Sequence, residues 1–236
     1  MTTGASPTLN SGTDRGATPD NVVAACRELT RRRLTHGTSG NISVRHDATQ
    51  FFISPSGMAY DSMQAEDVAL MNLEGRWRGR SRPSSEWRFH RDIYRSRETI
   101  GAVVHTHSTH AAALACTGRG IPSFHYMVAV AGGVDIRCAP YHTFGTEELS
   151  EAALQALEGR MACLLGNHGV IACGQSLESA LALAGEVENL ALQYCAALQI
   201  GQVRLLDDAE MQRVLEKFRT YGKADAVDRD LKFCEL

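Results

Sequence analysis

The seven cysteines of this 236-residue chain, at positions 26, 116, 138, 163, 173, 195 and 234, include no C-x-x-C pair. That lack removes the usual thiolate zinc site. An odd number, lying mostly in apolar stretches such as Met161-Ala162-Cys163-Leu164, also removes a disulfide framework. Reduced thiols of a cytoplasmic protein are the expectation. Charge of one sign is lacking too: the formal net charge is -3, which gives no electrostatic reason to bind nucleic acid or an anionic membrane. No transmembrane span is expected, because the most apolar long stretch, SALALAGEVENLALQYCAALQIG, is broken by Glu186, Glu188 and Asn189. The opening MTTGASPTLNSGTDRGATPD is polar and small, unlike a signal peptide. Neither G-x-x-x-x-G-K-[ST] nor G-x-G-x-x-G occurs, so a nucleotide is not implied. There is no internal repeat.

What is present is a chain long enough for one large core, with ordinary hydrophobic and charged content. Residues 1–18, rich in Ser, Thr and Gly, read as a disordered tail, and one domain follows. PDNVVAACRELTRRRL has the spacing of a helix, with Asp20 as its cap and Val22, Val23, Cys26 and Leu29 as its buried stripe. GTSGNISVRH reads as a turn and strand, FFISPSG as a strand and turn, and VALMNLEGRWRG as a hairpin about Glu74-Gly75. PSSEWRFHRDIYRS reads as a helix whose first turn carries Pro83, Ser84, Ser85 and Glu86. Strands are expected at TIGAVVHTH, at IRCAPY and on both arms of MACLLGNHGVIACG, whose tight turn is 166–169. Helices are expected at 146–157 and 176–200, and a last one, DDAEMQRVLEKFRTYG, has a capping box in Asp207 and Glu210. Hairpin-like strand pairs among helices predict an α/β fold with a largely antiparallel sheet covered by helices.

The densest chemistry lies in GAVVHTHSTH, where His105, His107 and His110 crowd one short stretch. Residues i and i+2 of a strand point to one face, so His105 and His107 can aim both rings at one point. His110 falls where STHAAALACTG starts a helix, and so points elsewhere. His168, in LLGNHGV, is the best third imidazole, because Gly166 and Gly169 let the chain turn sharply and leave the ring at a strand end. Three neutral imidazoles without a thiolate match a catalytic zinc site with one position open to water or substrate. Taken alone, the spacing suits loop residues as well as ligands.

Ser84 and Ser85 stand at a helix N-terminus, where free N–H groups and the helix dipole favour an anion and two hydroxyls add donors suited to phosphate. An N-cap is the commoner use of one such serine. GTSGNIS with Asn41, and SPSG with Ser56 and Gly57, are two further small, donor-rich turns. Three such turns are what a phosphomonoester site needs. Glu86 beside the serines either complements the helix dipole or serves as an acid or base next to a metal, where burial can hold its pKa near neutrality.

The segments GTSGNISVR, PSSEWRFH, VVHTH, IPSFHYMVAVAGG, CAPYHTFGTEELSE, GNHGVIAC and EKFRTYG run in order from about residue 20 to 222. Together they resemble the zinc-dependent class II aldolase family, which shares its fold with adducin head domains. The resemblance implies a three-layer α/β/α fold with a central, mainly antiparallel sheet. It also implies one zinc ion per subunit and a homo-oligomer, a tetramer with active sites between subunits. It makes residues 19–222 a class II aldolase domain and residues 223–236 a C-terminal tail that does not match. Carried over residue by residue, it assigns His105, His107 and His168 to zinc, with Glu86 beside them as metal-binding and catalytic. Asn41, Ser56, Gly57, Ser84 and Ser85 match the positions that bind the substrate's phosphate. Tyr126, in FHYM, matches a catalytic tyrosine that reaches in from a neighbouring subunit, although a packed aromatic on a core helix is its plainer reading. Tyr221, in RTYG, matches a catalytic tyrosine of a mobile C-terminal segment. Ser56 replaces a threonine, His142 an alanine and Thr106 an asparagine, which leaves the aldehyde specificity open.

The activity so implied is retro-aldol cleavage of a ketose 1-phosphate to dihydroxyacetone phosphate and an aldehyde. L-Fuculose 1-phosphate, 5-methylthioribulose 1-phosphate and 5-deoxyribulose 1-phosphate share the phosphate and dihydroxyacetone half, so the residues do not separate them. A ribulose-phosphate 4-epimerase or a methylthioribulose-1-phosphate dehydratase would use the same scaffold. Dihydroxyacetone phosphate among the products separates the aldolase from both. A non-catalytic module of the adducin type would need neither the histidines nor Glu86. The expected partners are a sugar phosphate and further copies of the chain, with no nucleic acid and no membrane.

Overall fold

Strand residues alternate between two apolar cores. In β1 (Asn41–Arg45), Ile42 and Val44 join the first core, whereas Asn41, Ser43 and Arg45 turn to the opposite side. In β5 (Ala102–Thr106), Ala102 and Val104 belong to the first core and Val103 to the second. β7 (Ala162–Leu165) and β8 (Gly169–Gly174) follow suit: Leu164 and Val170 lie on one side, Leu165 and Ile171 on the other. A sheet covered on both faces needs apolar residues at every position, which is why these strands read as continuous apolar runs. The computed structural model describes residues 17–220.

With β2 (Gln50–Ile53), β3 (Ala69–Asn72), β4 (Trp77–Arg78) and β6 (Cys138–Ala139), these strands form one sheet in the order β4-β3-β2-β1-β5-β8-β7-β6. Every neighbouring pair is antiparallel except β6 and β7. The first face packs against α1 (Pro19–Arg31), α3 (Thr109–Cys116), α5 (Leu177–Ile200) and, through Met211, α6 (Asp208–Thr220). The second packs against α2 (Trp87–Ser96) and α4 (Glu147–Ala156). This is the three-layer α/β/α arrangement with a mainly antiparallel sheet. Phe51, Phe89 and Tyr94 are fully buried in the second core, and each phenylalanine contributes about 1.5–3 kcal/mol of transfer free energy. No helix among the described residues is long and apolar enough to cross a membrane.

Three local expectations are corrected. Thr18, not Asp20, caps α1: its side chain accepts from the Asn21 N–H, and Pro19, with its fixed φ, takes the first helical position. Thr18 is thus the last residue of the expected tail and already ordered by that bond, while residues 1–16 lie outside the described residues. α2 begins at Trp87, so Pro83, Ser84 and Ser85 precede it and Glu86 is its N-cap. The reason is tertiary: Pro83 bridges to Pro55 and the Ser84 N–H bonds the Ser54 carbonyl, which holds this stretch extended. Strand β6 covers only two residues of IRCAPY, because Ile136 is instead bridged to Ile121. The helices expected at 146–157 and 176–200 form and are capped by Thr146 and Ser176, the Asp207 carboxylate accepts from the Glu210 N–H, and Gly75 turns the β3–β4 hairpin at φ 84°.

Candidate active site

β5 carries His105 on the α2 side of the sheet, and His107 follows just past its end. β8 runs antiparallel beside it, with Thr106 opposite Val170, which brings the β7–β8 turn against the two histidines. Asn167 takes a left-handed conformation at φ 52°, and Gly169 follows His168 where any Cβ would meet the Thr106 carbonyl oxygen at 2.3 Å. Only glycine allows that approach. The three rings meet pairwise with centroids 4.8 Å apart, and His105 Nε2 lies 2.9 Å from His107 Nε2. Glu86, delivered by the N-terminus of α2, places Oε2 3.3 Å from His105 Nε2 and Oε1 3.2 Å from His168 Nε2. One donor atom from each of Glu86, His105, His107 and His168 lies within 4.8 Å of the others.

The hydrogen bonds show what these groups present to one another. His105 Nδ1 lies 2.8 Å from the Val170 carbonyl oxygen, which can only accept. In the neutral ring that contact places the proton on Nδ1 and turns the Nε2 lone pair toward the cluster. Burial, with His105 and His168 close by, pushes His107 down to about 3, so it is neutral at pH 7. Burial by itself would raise the Glu86 carboxyl, but His105 and His168 outweigh it and hold the group below the usual carboxylate range. The near-neutral pKa expected of Glu86 is thus not what the surroundings produce. Glu86 Oε1 is buried and takes no well-formed hydrogen bond. Inward lone pairs and an orphaned carboxylate oxygen are the donor set of a divalent cation, and neutral nitrogens with one carboxylate suit zinc.

The stretch held beside β2 supplies the polar wall. The Ser56 N–H bonds the Arg82 carbonyl and the Ser84 N–H bonds that of Ser54, which aligns the two serine turns. Ser56, Gly57, Ser84 and Ser85 line a cavity of about 470 Å³ that Glu86, His107 and His168 also line. Gly57 turns at φ 67°; Ser56 and Ser85 are exposed, whereas Ser84 is buried and accepts from the Glu86 N–H. Asn41 lines the same cavity with its amide engaged by Glu86 and His90. His142 lines it as well, but Thr106 is fully buried on the other face of β5.

Tyr126 does not line this cavity. It opens a short 3-10 helix, Tyr126–Ala131, where it is half exposed and stacked 6.3 Å from Phe218. Tyr221 lies outside the described residues. His110 is structural: Glu188 of α5 accepts from its ring and from the His110 and Ala111 N–H groups, closing the start of α3. Sequence reasoning missed Ser43, His90 and Tyr94, which pack behind Asn41 and Glu86. Their signal was present, since His90 and Tyr94 follow Glu86 at four-residue steps and Ser43 follows Asn41 by two.

Residues 20–195 match the family described as Class II Aldolase and Adducin N-terminal domain. A 5-methylthioribulose-1-phosphate/5-deoxyribulose-1-phosphate aldolase of Rhodospirillum rubrum is 53% identical over 201 residues, covering 85% of this chain and 90% of the relative. An L-fuculose phosphate aldolase of Escherichia coli is 47% identical over 202 residues, covering 85% of this chain and 94% of the relative. Among solved structures, an L-fuculose 1-phosphate aldolase superposes with a TM-score of 0.83 at 39% identity, covering 89% of this chain and 98% of that one.

Proposed function

The chain belongs to the class II aldolase and adducin N-terminal domain family, and from that premise we propose that it cleaves a ketose 1-phosphate to dihydroxyacetone phosphate and an aldehyde. The observation that carries the reading is the meeting of Glu86, His107 and His168 with Ser56, Gly57, Ser84 and Ser85 in one cavity. A metal-type donor set and a group of hydroxyls and N–H groups suited to a phosphate line the same cavity. The sequence has only three lysines, Lys217, Lys223 and Lys232, all following every residue of the cluster, and Lys217 does not line the cavity. That argues against a Schiff base as the electron sink.

Breaking C3–C4 of the ketose leaves an electron pair on C3, next to the C2 carbonyl. Zinc, held by His105, His107 and His168 with Glu86 as the fourth donor, would supply a Lewis acid for the negative charge developing on the substrate oxygens. Ser56, Gly57, Ser84, Ser85 and the Asn41 amide N–H not engaged by Glu86 hold the phosphate, so that its binding energy goes into orientation. Glu86 delivers a proton to C3 after cleavage and removes it in the condensing direction. Tyr126 of a neighbouring copy exchanges the proton on the C4 oxygen, and Tyr221 is the second catalytic tyrosine that the family likeness assigns. The half exposure of Tyr126, away from its own chain's cavity, supports a site completed in an oligomer, taken as a tetramer. The unit is residues 19–222, in a cytoplasmic enzyme.

The two named relatives act on a 5-deoxypentulose phosphate and on L-fuculose phosphate. Both substrate types belong in the test panel. The purified zinc-loaded chain is given L-fuculose, 5-deoxyribulose and 5-methylthioribulose 1-phosphates, and dihydroxyacetone phosphate is measured by coupled reduction. Release from at least one supports the proposal. An epimer or a dehydrated product without dihydroxyacetone phosphate would replace it.

A further inference from the structure

Behind Glu86 runs a buried file of polar side chains that the steps above leave unused. Asn41 Nδ2 lies 2.8 Å from Glu86 Oε2, and Asn41 Oδ1 lies 2.6 Å from His90 Nε2. His90 Nδ1 lies 2.6 Å from Ser43 Oγ, which lies 2.8 Å from Tyr94 Oη. Asn41 and Ser43 are alternate residues of β1, and His90 and Tyr94 are successive turns of α2, so the file occupies the seam between sheet and helix. All four side chains are buried.

The direction of each bond follows from what each group can do. An ionised carboxylate only accepts, so the Asn41 amide turns its nitrogen to Glu86 and its carbonyl oxygen to His90. That oxygen only accepts, so His90 carries its proton on Nε2 and its Nδ1 is bare. The bare nitrogen takes the Ser43 hydroxyl proton, and the Ser43 oxygen accepts from Tyr94. The Val103 backbone N–H bonds the Tyr94 oxygen from behind. Every donor in the file therefore points toward Glu86. Burial pushes His90 down to about 3, so it stays neutral, as this order requires. The file ends asymmetrically: Glu86 Oε2 receives the Asn41 N–H, while Oε1 is buried without a hydrogen bond.

We propose that His90, with Asn41, Ser43 and Tyr94, is a positioning relay that holds Glu86 by Oε2 and so fixes the orientation in which its carboxylate meets the histidines and the substrate. The proposal rests on the aldolase reading, in which Glu86 moves the substrate proton. His90 reaches Glu86 only through Asn41 and touches neither the cavity nor the reacting atoms, so it is a positioning residue. A phosphate-binding part for Asn41 is compatible, because its second amide N–H has no partner among the described residues.

The test uses the zinc-loaded full chain and two substitutions. His90→Phe fills the space and removes both ring nitrogens; His90→Gln keeps an amide able to donate to Asn41. His90→Phe is expected to lower kcat, and the solvent exchange of the hydroxymethyl protons of dihydroxyacetone phosphate, by about 10–100-fold, as loss of an outer partner does. KM and zinc content should hardly move, and His90→Gln should recover most of the loss. A raised KM at unchanged kcat would assign the file to phosphate binding and overturn the relay. If His90→Phe does not fold, Tyr94→Phe, which deletes only the terminal donor, should give a smaller fall in the same two rates, and unchanged rates would overturn the relay. Nitrogen-15 spectra of histidine-labelled wild-type protein, with the His90 signals identified by their loss in His90→Gln, should show Nε2 protonated and Nδ1 bare. The opposite tautomer overturns the relay without reference to activity. Wild-type protein that releases no dihydroxyacetone phosphate would instead remove the aldolase reading, and the tautomer would then decide whether the hydrogen-bond order stands.

Discussion

Gly169→Ala tests whether the strand pairing, rather than the histidines alone, builds the site. A Cβ at this position would lie 2.3 Å from the Thr106 carbonyl oxygen, 3.1 Å from His107 Cδ2 and 3.3 Å from His105 Cε1. Ordinary contact begins near 3.4 Å, so about 1.1 Å must be found against the carbonyl. Thr106 cannot easily yield, because β5 is hydrogen-bonded between β1 and β8. The start of β8 moves instead, and His168 moves with it. Metal–ligand distances tolerate only about ±0.2 Å, so a shift several times larger takes His168 out of the donor set. Overpacking of this kind costs about 1–3 kcal/mol, which for a chain of this size lowers the melting temperature by roughly 2–12 °C. The checks are thermal unfolding with and without added zinc, and elemental analysis after dialysis. Bound zinc should fall to a small fraction of the wild-type value, and added zinc should no longer raise the melting temperature. Gly185→Ala is the control: its Cβ would meet nothing within 4 Å, and alanine in α5 should add up to about 1 kcal/mol of stability with zinc unchanged. A Gly169→Ala protein with full zinc and the wild-type melting temperature would refute the reasoning.

His168→Ala should remove both metal and cleavage, whereas Cys163 and Cys173 replaced together by serine should leave zinc content unchanged; elemental analysis distinguishes the two. Glu86→Gln keeps the shape and removes the titrating carboxyl, so turnover should fall by about 10²–10⁴-fold, and proton exchange of dihydroxyacetone phosphate with it. Normal exchange would exclude Glu86 as the proton carrier. Tyr126→Phe should retain zinc and assembly but lose carbon–carbon cleavage, and mixing it with Glu86→Gln chains should restore some activity once subunits exchange. No recovery after demonstrated exchange would place both residues in the same chain's site. Burial pushes Cys26 and Cys173 up to about 12 and Cys163 well above the usual thiol range, so all three stay protonated thiols at pH 8. Peptide mapping after brief alkylation of the folded protein should find exposed Cys116 modified and those three intact; labelling of Cys26 before unfolding would contradict its core position.

Local rules were enough to place His105 and His107 on one face, because a strand repeats every two residues. They were also enough to single out His168, since the glycines near it announce a sharp turn. The cap of α6 was legible for the same reason: Asp207, three residues ahead of the Glu210 N–H it accepts from, is a short-range signal. Family likeness then drew Glu86 and the serines to the same place. The start of α2 was misread because helix propensity is local, whereas the Pro55–Pro83 bridge that holds the chain just ahead of Ser84 and Ser85 joins segments nearly thirty residues apart. The sign of the Glu86 shift was misread because burial can be guessed from neighbours in sequence, but His105 and His168, which reverse it, arrive from β5 and from the β7–β8 turn.

The sequence by itself determined which residues could be ligands, that His105 and His107 share one strand face, and that the chain turns sharply at 166–169. The tertiary structure decided which faces meet. Asn41 stands opposite His105 and Thr106 opposite Val170 only through the register of β1, β5 and β8, and His90 reaches Asn41 only because α2 packs across that seam. Register and packing are selected by burying two whole cores at once, a cooperative choice that no single stretch of residues contains.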